Sequence, residues 1–354
     1  MDTGPRSHVV ASGACTAIGD SSPMTSASAR ARICRFREHS YLRDRVGEPM
    51  VLSGASYLPQ TLTGVERYLA LAAPALEEAL VPLQKVLPGH SVPCFLGLPS
   101  PRPGLPEDLS AQMMRELPRR LSSPRSIQRV EAFTQGHAAG LMALEKAHAS
   151  ICRGEVEWCV AGGVESWLEA ETLEWLDARE QLKSSIHRWG FIPGEGAAFC
   201  LLASGRALRR AKLTAQVDVL SATSVKDVHG AGLDSVCVGE ALTQALRTIL
   251  QVLPPEVRVD QVACDLNGQR HRTDEYGFTV ARLGARFRDA TDVWTPADCW
   301  GDVGAASGPL LVNLVAASGQ RRWAKGPRAV VWARSEGAER SAALLQLPAS
   351  ERQG

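Results

Sequence analysis

Several features that mark particular classes of protein are absent from this sequence. No apolar run reaches the roughly 18 residues that a bilayer-spanning helix needs, and the first six residues carry no signal-peptide pattern. The nine cysteines form no Cys-x-x-Cys pair, which favours buried thiols over zinc sites or disulfides. The net charge of +1 leaves no electrostatic footprint for nucleic acid. We therefore expect a cytoplasmic protein with no membrane span, nucleic-acid partner or metal.

The residues that are present predict an α/β protein. The chain has 354 residues, with 45% apolar and 22% charged residues, enough for substantial cores. Strand signals begin at residues 8–14 and end at Arg328–Ala333, and they alternate with helical periodicity. The basic stretch at residues 205–211 is the best boundary. It predicts an N-terminal half at residues 1–205 and a C-terminal half at residues 206–354.

Some individual elements are predicted from prolines and periodicity. Gly64 to Val81 is amphipathic, and we expect Pro74 to kink or split this helix and Pro82 to end it. Glu165 to Leu182 is rich in Glu and Leu and is expected to be helical. The segment from Ser126 to Glu131 is expected to be helical or irregular.

One stretch, residues 133–141, organises the chain. It reads as a tight turn crowded with small residues, opening into a buried helix that ends at Arg153. Small residues at a helix start let backbone N–H groups approach a ligand, and the helix dipole there favours anions or thiolates. A nucleophile is therefore expected at this turn, yet the residue present is His137.

Three stretches together resemble the β-ketoacyl synthases of fatty-acid and polyketide synthesis. They are Gly136–Leu141 with the following Arg153–Glu155 and Ala161–Ser166, then Arg188–Ala197, and then Gly301–Gly308. The resemblance implies a thiolase-like fold, with two related α/β halves in a layered α-β-α-β-α arrangement. It also implies acyl carrier protein or acyl-CoA thioesters as partners, no cofactor, and a homodimer or a heterodimer with another ketosynthase-like chain.

The chemistry of that family needs a cysteine at the helix start, with two histidines or a histidine and an asparagine beside it. His137 occupies the cysteine position, and Asn267 aligns with the first histidine. The second histidine is expected near Gly301, but the last histidine of the chain is His271. The standard triad is therefore not preserved.

His137 and Asn267 are the candidate catalytic residues, each with a structural alternative. His137 acts as a proton acceptor or donor, or it fills the vacated cysteine pocket and caps the helix. Asn267 orients a thioester carbonyl, or it serves only as a turn residue before Gly268. Cys264 and Cys299 are possible replacement nucleophiles, although buried packing is the plainer account. No ligand spacing supports a zinc site formed by His137, His271 and a cysteine.

Five further residues are expected, by the resemblance, to border the substrate: Gly136, Gly194, Glu195, Gly304 and Ala305. Glu195 is also expected to satisfy backbone N–H groups of its glycine-rich loop.

Three functions remain open from the sequence. The chain is a ketosynthase-family enzyme that handles acyl thioesters with a nonstandard set of residues. Alternatively, it is an inactive paralogue that dimerises with an active ketosynthase, as chain-length factors do, or an acyl or carrier-protein binding module.

Overall fold

The computed structural model describes residues 5–227 and 237–348. The strands are β1 (Ser7–Thr16), β2 (Arg37–Arg43), β3 (Pro49–Leu52), β4 (Val92–Gly97), β5 (Ile127–Phe133), β6 (Trp158–Ser166), β7 (Glu195–Ala203), β8 (Val217–Lys226), β9 (Gln261–Cys264), β10 (Val293–Trp294), β11 (Arg328–Arg334) and β12 (Glu339–Gln346). The α-helices are α1 (Ser22–Arg30), α2 (Gly64–Val86), α3 (Leu109–Arg120), α4 (Ala139–Cys152), α5 (Ala170–Ala178), α6 (Gly205–Ala211), α7 (Glu240–Leu250), α8 (Arg270–Leu283), α9 (Ala297–Trp300) and α10 (Ser307–Gln320).

Ten strands form one sheet whose order is the same in both halves of the chain. The order is β10-β9-β11-β12-β8-β1-β7-β6-β4-β5, while β2 and β3 pair separately. The first half contributes β1, β4, β5, β6 and β7, and the second half contributes β8 to β12. If the strands of each half are numbered one to five along the chain, their order from the outer edge to the centre of the sheet is 3-2-4-5-1 in both halves. In both, the first and fifth strands pair antiparallel, and so do the fifth and fourth, while the other pairs are parallel. The predicted duplication of an α/β unit is confirmed.

The predicted layers are confirmed as well. Helices α4 and α10 lie between the two five-stranded halves, because each contacts strands of both. Helices α2 and α3 cover the outer side of the first half, and α7 with α8 covers the outer side of the second. Ser307–Gln320 has no charged residue and is buried almost all round, as expected of a helix enclosed by two sheets.

Helix α2 corrects the prediction made from its prolines. It runs from Gly64 to Val86 with Pro74 and Pro82 both inside it. A proline in a helix interior costs about 3 kcal/mol, yet Leu80 and Leu83 on either side of Pro82 are buried in the same hydrophobic core. The packing of this face therefore outweighs the cost, and the prediction that Pro82 ends the helix is wrong.

Three other elements also differ from the prediction. The helix expected from Glu165 to Leu182 covers only Ala170–Ala178, since Glu165 lies in β6. Ser126–Glu131 falls largely in β5, which pairs in parallel with β4. The strand expected to be the last is followed by β12. In each case the segment forms a strand because it pairs with a neighbouring strand, and that pairing cannot be recognised from the segment's own sequence. The predicted division between residues 205 and 206 stays a prediction.

Within residues 5–227 and 237–348, no helix combines the length and the apolar character that a bilayer crossing requires.

Candidate active site

Two equivalent turns, one in each half, form the site. Gly136–Ala138 makes a single 3-10 turn that leads into α4, and Gly304–Ala306 makes the matching turn into α10. The predicted tight turn into a buried helix is thus confirmed. Gly304 has φ +43°, and a Cβ at that residue would lie 2.2 Å from Oε2 of Glu165. Only glycine fits there.

His137 is held by a carboxylate from the other half of the chain. Its Nε2 lies 2.8 Å from Oδ2 and 2.9 Å from Oδ1 of Asp302. His137 is 3% exposed and so is Asp302. An ionised carboxylate only accepts hydrogen bonds, so Nε2 must carry the proton in this pair. The Nε2 lone pair is therefore not available to act as a base.

Asp302 collects three further donors. Asn267 Nδ2 lies 2.6 Å from Oδ2, Trp167 Nε1 lies 3.2 Å from Oδ1, and the Gly304 N–H donates to Oδ1 over 2.8 Å. Burial alone would raise the pKa of Asp302, but the charge and hydrogen bond of His137, with Arg272 and Asn267, outweigh it. The pKa of the carboxyl is held well below its usual range. Asp302 is therefore an ionised anchor for both turns.

Arg272 supplies the positive charge beside this pair. Its Nη2 lies 3.2 Å from His137 Nε2, and its Nη1 lies 3.0 Å from Oδ2 of Asp265. Nη2 also contacts Oε1 of Glu336 at 2.6 Å. Burial would lower the pKa of this fully buried guanidinium, but the neighbouring carboxylates raise it above its ordinary value. Positive and negative groups are thus balanced inside the protein, as buried charges require.

Aromatic packing closes the other side of His137. The Trp167 ring centroid lies 6.0 Å from that of the imidazole, and the guanidinium carbon of Arg102 stacks 3.8 Å from the Trp167 centroid. Arg102 also donates to Oε1 of Glu165 over 2.7 Å. The cavity that borders Asp302 measures about 10 Å³, which is room for one water molecule at most. It has no room for an acyl chain.

The alternatives for the two candidate residues are now distinguished in part. His137 fills the turn, but the prediction that it caps the helix is wrong, because the Ala138 N–H donates to Ser335 Oγ instead. Asn267 makes the local contact of a turn residue, because its Oδ1 accepts the Gln269 N–H. Its amide also donates to Asp302, a contact that was not predicted. A role in orienting a thioester carbonyl stays a prediction.

The five residues predicted to border a substrate fall in two places. Gly136, Gly304 and Ala305 lie in the two turns, and the Gly194 N–H donates to the carbonyl oxygen of Asp302 over 2.8 Å. Glu195 lies apart. Its buried carboxylate pairs with Arg67, accepts a hydrogen bond from Ser166 Oγ, and accepts the N–H of Ala55, so it ties other segments to β7 rather than its own loop. A role for these residues in substrate binding stays a prediction.

The alternative nucleophiles are poorly placed. Cys264 is buried beside the small cavity at Asp302, and burial raises the pKa of its thiol far above the ordinary value. Burial also raises the pKa of Cys299, whose Sγ points to the carbonyl of Ala29. A raised pKa disfavours the thiolate that acyl transfer needs at both residues.

One group of metal-ligand types occurs in the described part of the chain. Asp227, Cys237 and Glu275 bring ligand atoms within 4.8 Å of one another. Glu275 is already paired with Arg340 and Arg334, and these cations oppose a metal ion. His271, the other histidine considered as a ligand, is instead near Glu336.

Asp302, Arg272 and Trp167 are the site residues that sequence reasoning missed. Asp302 is next to Gly301, near which the second histidine was expected. The resemblance therefore pointed to this position as part of the site. No sequence pattern pointed to Arg272 or Trp167, because each contacts a site residue 135 positions away: Arg272 lies beside His137, and Trp167 donates to Asp302.

Comparison with known proteins agrees with this architecture. Residues 132–207 match the family described as Beta-ketoacyl synthase, N-terminal domain. No curated protein sequence matches the chain significantly.

Solved structures are similar over nearly the whole chain. One is a type II polyketide synthase acyl-carrier protein in complex with its ketosynthase bound to the hexaketide (TM-score 0.79, 14% identity, 98% of this chain and 100% of that chain). Another is the ishigamide ketosynthase/chain length factor (TM-score 0.79, 13% identity, 98% and 100%). A third is the ketosynthase from module 6 of the bacillaene synthase from Bacillus subtilis 168 (TM-score 0.73, 12% identity, 97% and 72%). Residues 132–207 thus match a β-ketoacyl synthase N-terminal domain, and the chain as a whole has the thiolase-like α/β fold of these ketosynthase structures.

Proposed function

We propose that this chain is a non-condensing ketosynthase subunit that acts in fatty-acid or polyketide synthesis by pairing with an active ketosynthase. The observation that carries the proposal is the buried pair of His137 and Asp302. It occupies the place where the family resemblance puts the nucleophile and its partner.

The site lacks the groups that thioester condensation requires. A condensing enzyme needs a thiolate or another free nucleophile at the helix start, within reach of a bound acyl chain. Here Nε2 of His137 is bound to Asp302, and the ring is 3% exposed. The side-chain amide of Asn267 also donates a hydrogen bond to Asp302. Nε2 of His137 and the Asn267 amide thus make their hydrogen bonds inside the protein.

The preserved scaffold supports a role in assembly. Strand β5 is at one end of the sheet, and within residues 5–227 and 237–348 its strand partner is β4 alone, so its other edge can offer backbone groups to a second chain. The strand ends at Phe133, three residues before Gly136. A partner on this edge would therefore lie close to the turn that holds His137. The similarity to the ishigamide ketosynthase/chain length factor supports a partner of that kind.

Carrier-protein contact is part of the proposal. One similar structure is of an acyl-carrier protein with its ketosynthase. We infer that acyl carrier protein thioesters reach the assembled pair and react at the partner's site, while this chain contributes a wall of the acyl tunnel.

The proposal is tested with the full chain, alone and mixed with a complete ketosynthase from the same gene cluster. Acyl and malonyl carrier-protein thioesters are added, and intact mass spectrometry and release of CO₂ are followed. We expect no adduct and no CO₂ from this chain alone, and a one-to-one heterodimer in native mass spectrometry. The complete ketosynthase by itself is the positive control. A stable adduct on His137 or any cysteine would overturn the proposal, and so would a monomer at micromolar concentration in the presence of the partner.

A further inference from the structure

We propose a second ligand site in the groove between α1 and α10, where it takes a small organic anion with a phosphate or carboxylate head. The groove has a volume of about 640 Å³, within the range of roughly 300–1,000 Å³ typical of small-molecule sites. None of its lining residues belongs to the His137 site, and the inference does not depend on the proposed function.

The groove exists because the two halves of the sheet separate there. Strands β1 and β8 pair only from Ser7–Val219 to Val9–Val217. Beyond that point Ser12 and Gln216 line the groove, and Ser12 Oγ donates to Oε1 of Gln216 over 2.8 Å. Small-molecule sites often lie at such junctions between structural units.

Two arginines give the groove its positive charge. Arg30 on α1 and Arg321 after α10 both line it, and neither has an ion-pair partner within the described residues. The Arg30 guanidinium carbon lies 5.2 Å from the centroid of the Trp323 ring, which also lines the groove. This contact holds one cation in place on an aromatic wall. Guanidinium groups recognise oxyanions through paired N–H donors.

Two serine hydroxyl groups add neutral donors to this charge. Ser22 and Ser26 are 6% and 5% exposed and line the groove. Their Oγ atoms make no hydrogen bond to any part of the chain that the structure describes. The two hydroxyls are therefore free to donate to a ligand that accepts hydrogen bonds in the groove.

The one acidic residue of the groove is already engaged. Both carboxylate oxygens of Glu78 accept backbone N–H groups: Oε2 those of Ala14 and Ser22 at 3.0 and 2.9 Å, and Oε1 that of Ser22 at 3.2 Å. These backbone N–H groups partly offset the negative charge of Glu78 beside the groove. The free donors and the two unpaired cations therefore dominate the recognition.

Fluorescence titration of the full chain tests the site, because Trp323 reports on the groove. The probes are inorganic pyrophosphate and citrate, with potassium chloride at matched ionic strength as the control for screening. We expect a saturable change with one of the two probes at a Kd of about 1 mM or below, and Trp323→Phe should remove it. Pyrophosphate binding identifies a phosphate head, and citrate binding identifies a carboxylate head.

Matched variants decide whether the groove is the site. Arg30→Ala/Arg321→Ala should weaken binding by about tenfold or more. Arg115→Ala/Arg119→Ala, which removes the same charge from α3, should leave it unchanged. Ser22→Ala/Ser26→Ala should weaken binding with an unchanged circular dichroism spectrum. No saturation up to about 10 mM, equal loss in both arginine pairs, or a signal that survives Trp323→Phe would each overturn the proposal.

Discussion

Asp302 places both carboxylate oxygens within 2.9 Å of Nε2 of His137, across 165 positions of sequence. The two residues come from matching places in the two halves: His137 from the turn before α4, and Asp302 from just before the turn into α10. The position where the resemblance predicts a nucleophile is thus occupied by an internal contact that joins the halves. Four observable consequences follow from this arrangement and its surroundings.

Replacing Asp302 by asparagine should destabilise the protein strongly. Asp302→Asn keeps the shape but removes the charge that faces His137 and Arg272. Breaking a buried pair by removing one partner costs about 3–5 kcal/mol, and we expect a loss of that size in urea unfolding. The exposed Asp298 on the same segment gives the control, since Asp298→Asn should change stability by less than about 0.5 kcal/mol. Equal effects of the two variants would contradict the anchoring role.

The Asp302 contribution should disappear in acid. Its pKa is lowered in the folded protein, while an unfolded aspartate titrates near about 3.9. The stabilisation is therefore fully present above about pH 4 and is lost as the pH falls towards the folded pKa. We expect the difference in unfolding free energy between the wild type and Asp302→Asn to shrink as the pH falls below about 4. A difference that grows in acid would show that the carboxyl is protonated in the native state.

Two glycine-to-alanine substitutions should act in opposite directions. Gly304→Ala places a Cβ 2.2 Å from Glu165 Oε2 at a positive φ, so we expect a loss on the order of 3 kcal/mol or more. Gly277 lies inside α8, and a Cβ there meets nothing within 4 Å. Gly277→Ala should raise stability by about 0.5–1 kcal/mol because it removes backbone freedom from a helix. Thermal unfolding measures both, and a tolerated Gly304→Ala would refute the close packing.

Introducing a cysteine at residue 137 should not create an active nucleophile. His137→Cys would leave the Asp302 carboxylate beside a buried thiol, and a like charge together with burial disfavours the thiolate. We expect no acyl adduct from carrier-protein thioesters and slow alkylation by iodoacetamide at pH 8. The exposed Cys34 is an internal control that should be labelled first. An acylated residue 137, mapped by peptide mass spectrometry, would show that the scaffold is still competent.

The elements that could be predicted are those with a local signal. The turn at Gly136, the buried helix after it and the glycine turn at Gly304 depend on small residues, which the sequence displays directly. The end of α2 could not be predicted, because the burial of Leu83 in the core decides it against Pro82. Strand β5 was missed for a related reason: its pairing with β4 lies outside its own sequence.

The α/β alternation and the small-residue turn with His137 could be predicted from the sequence alone, because backbone conformation and residue identity are local properties. The duplication of the two halves was predicted only through the family resemblance. Only the tertiary structure decided what fills that turn. Asp302, Arg272 and Trp167 meet His137 through contacts between distant segments, and their charge balance depends on burial that no local pattern encodes. The groove between α1 and α10 arises in the same way, from the separation of β1 and β8 after three paired residues.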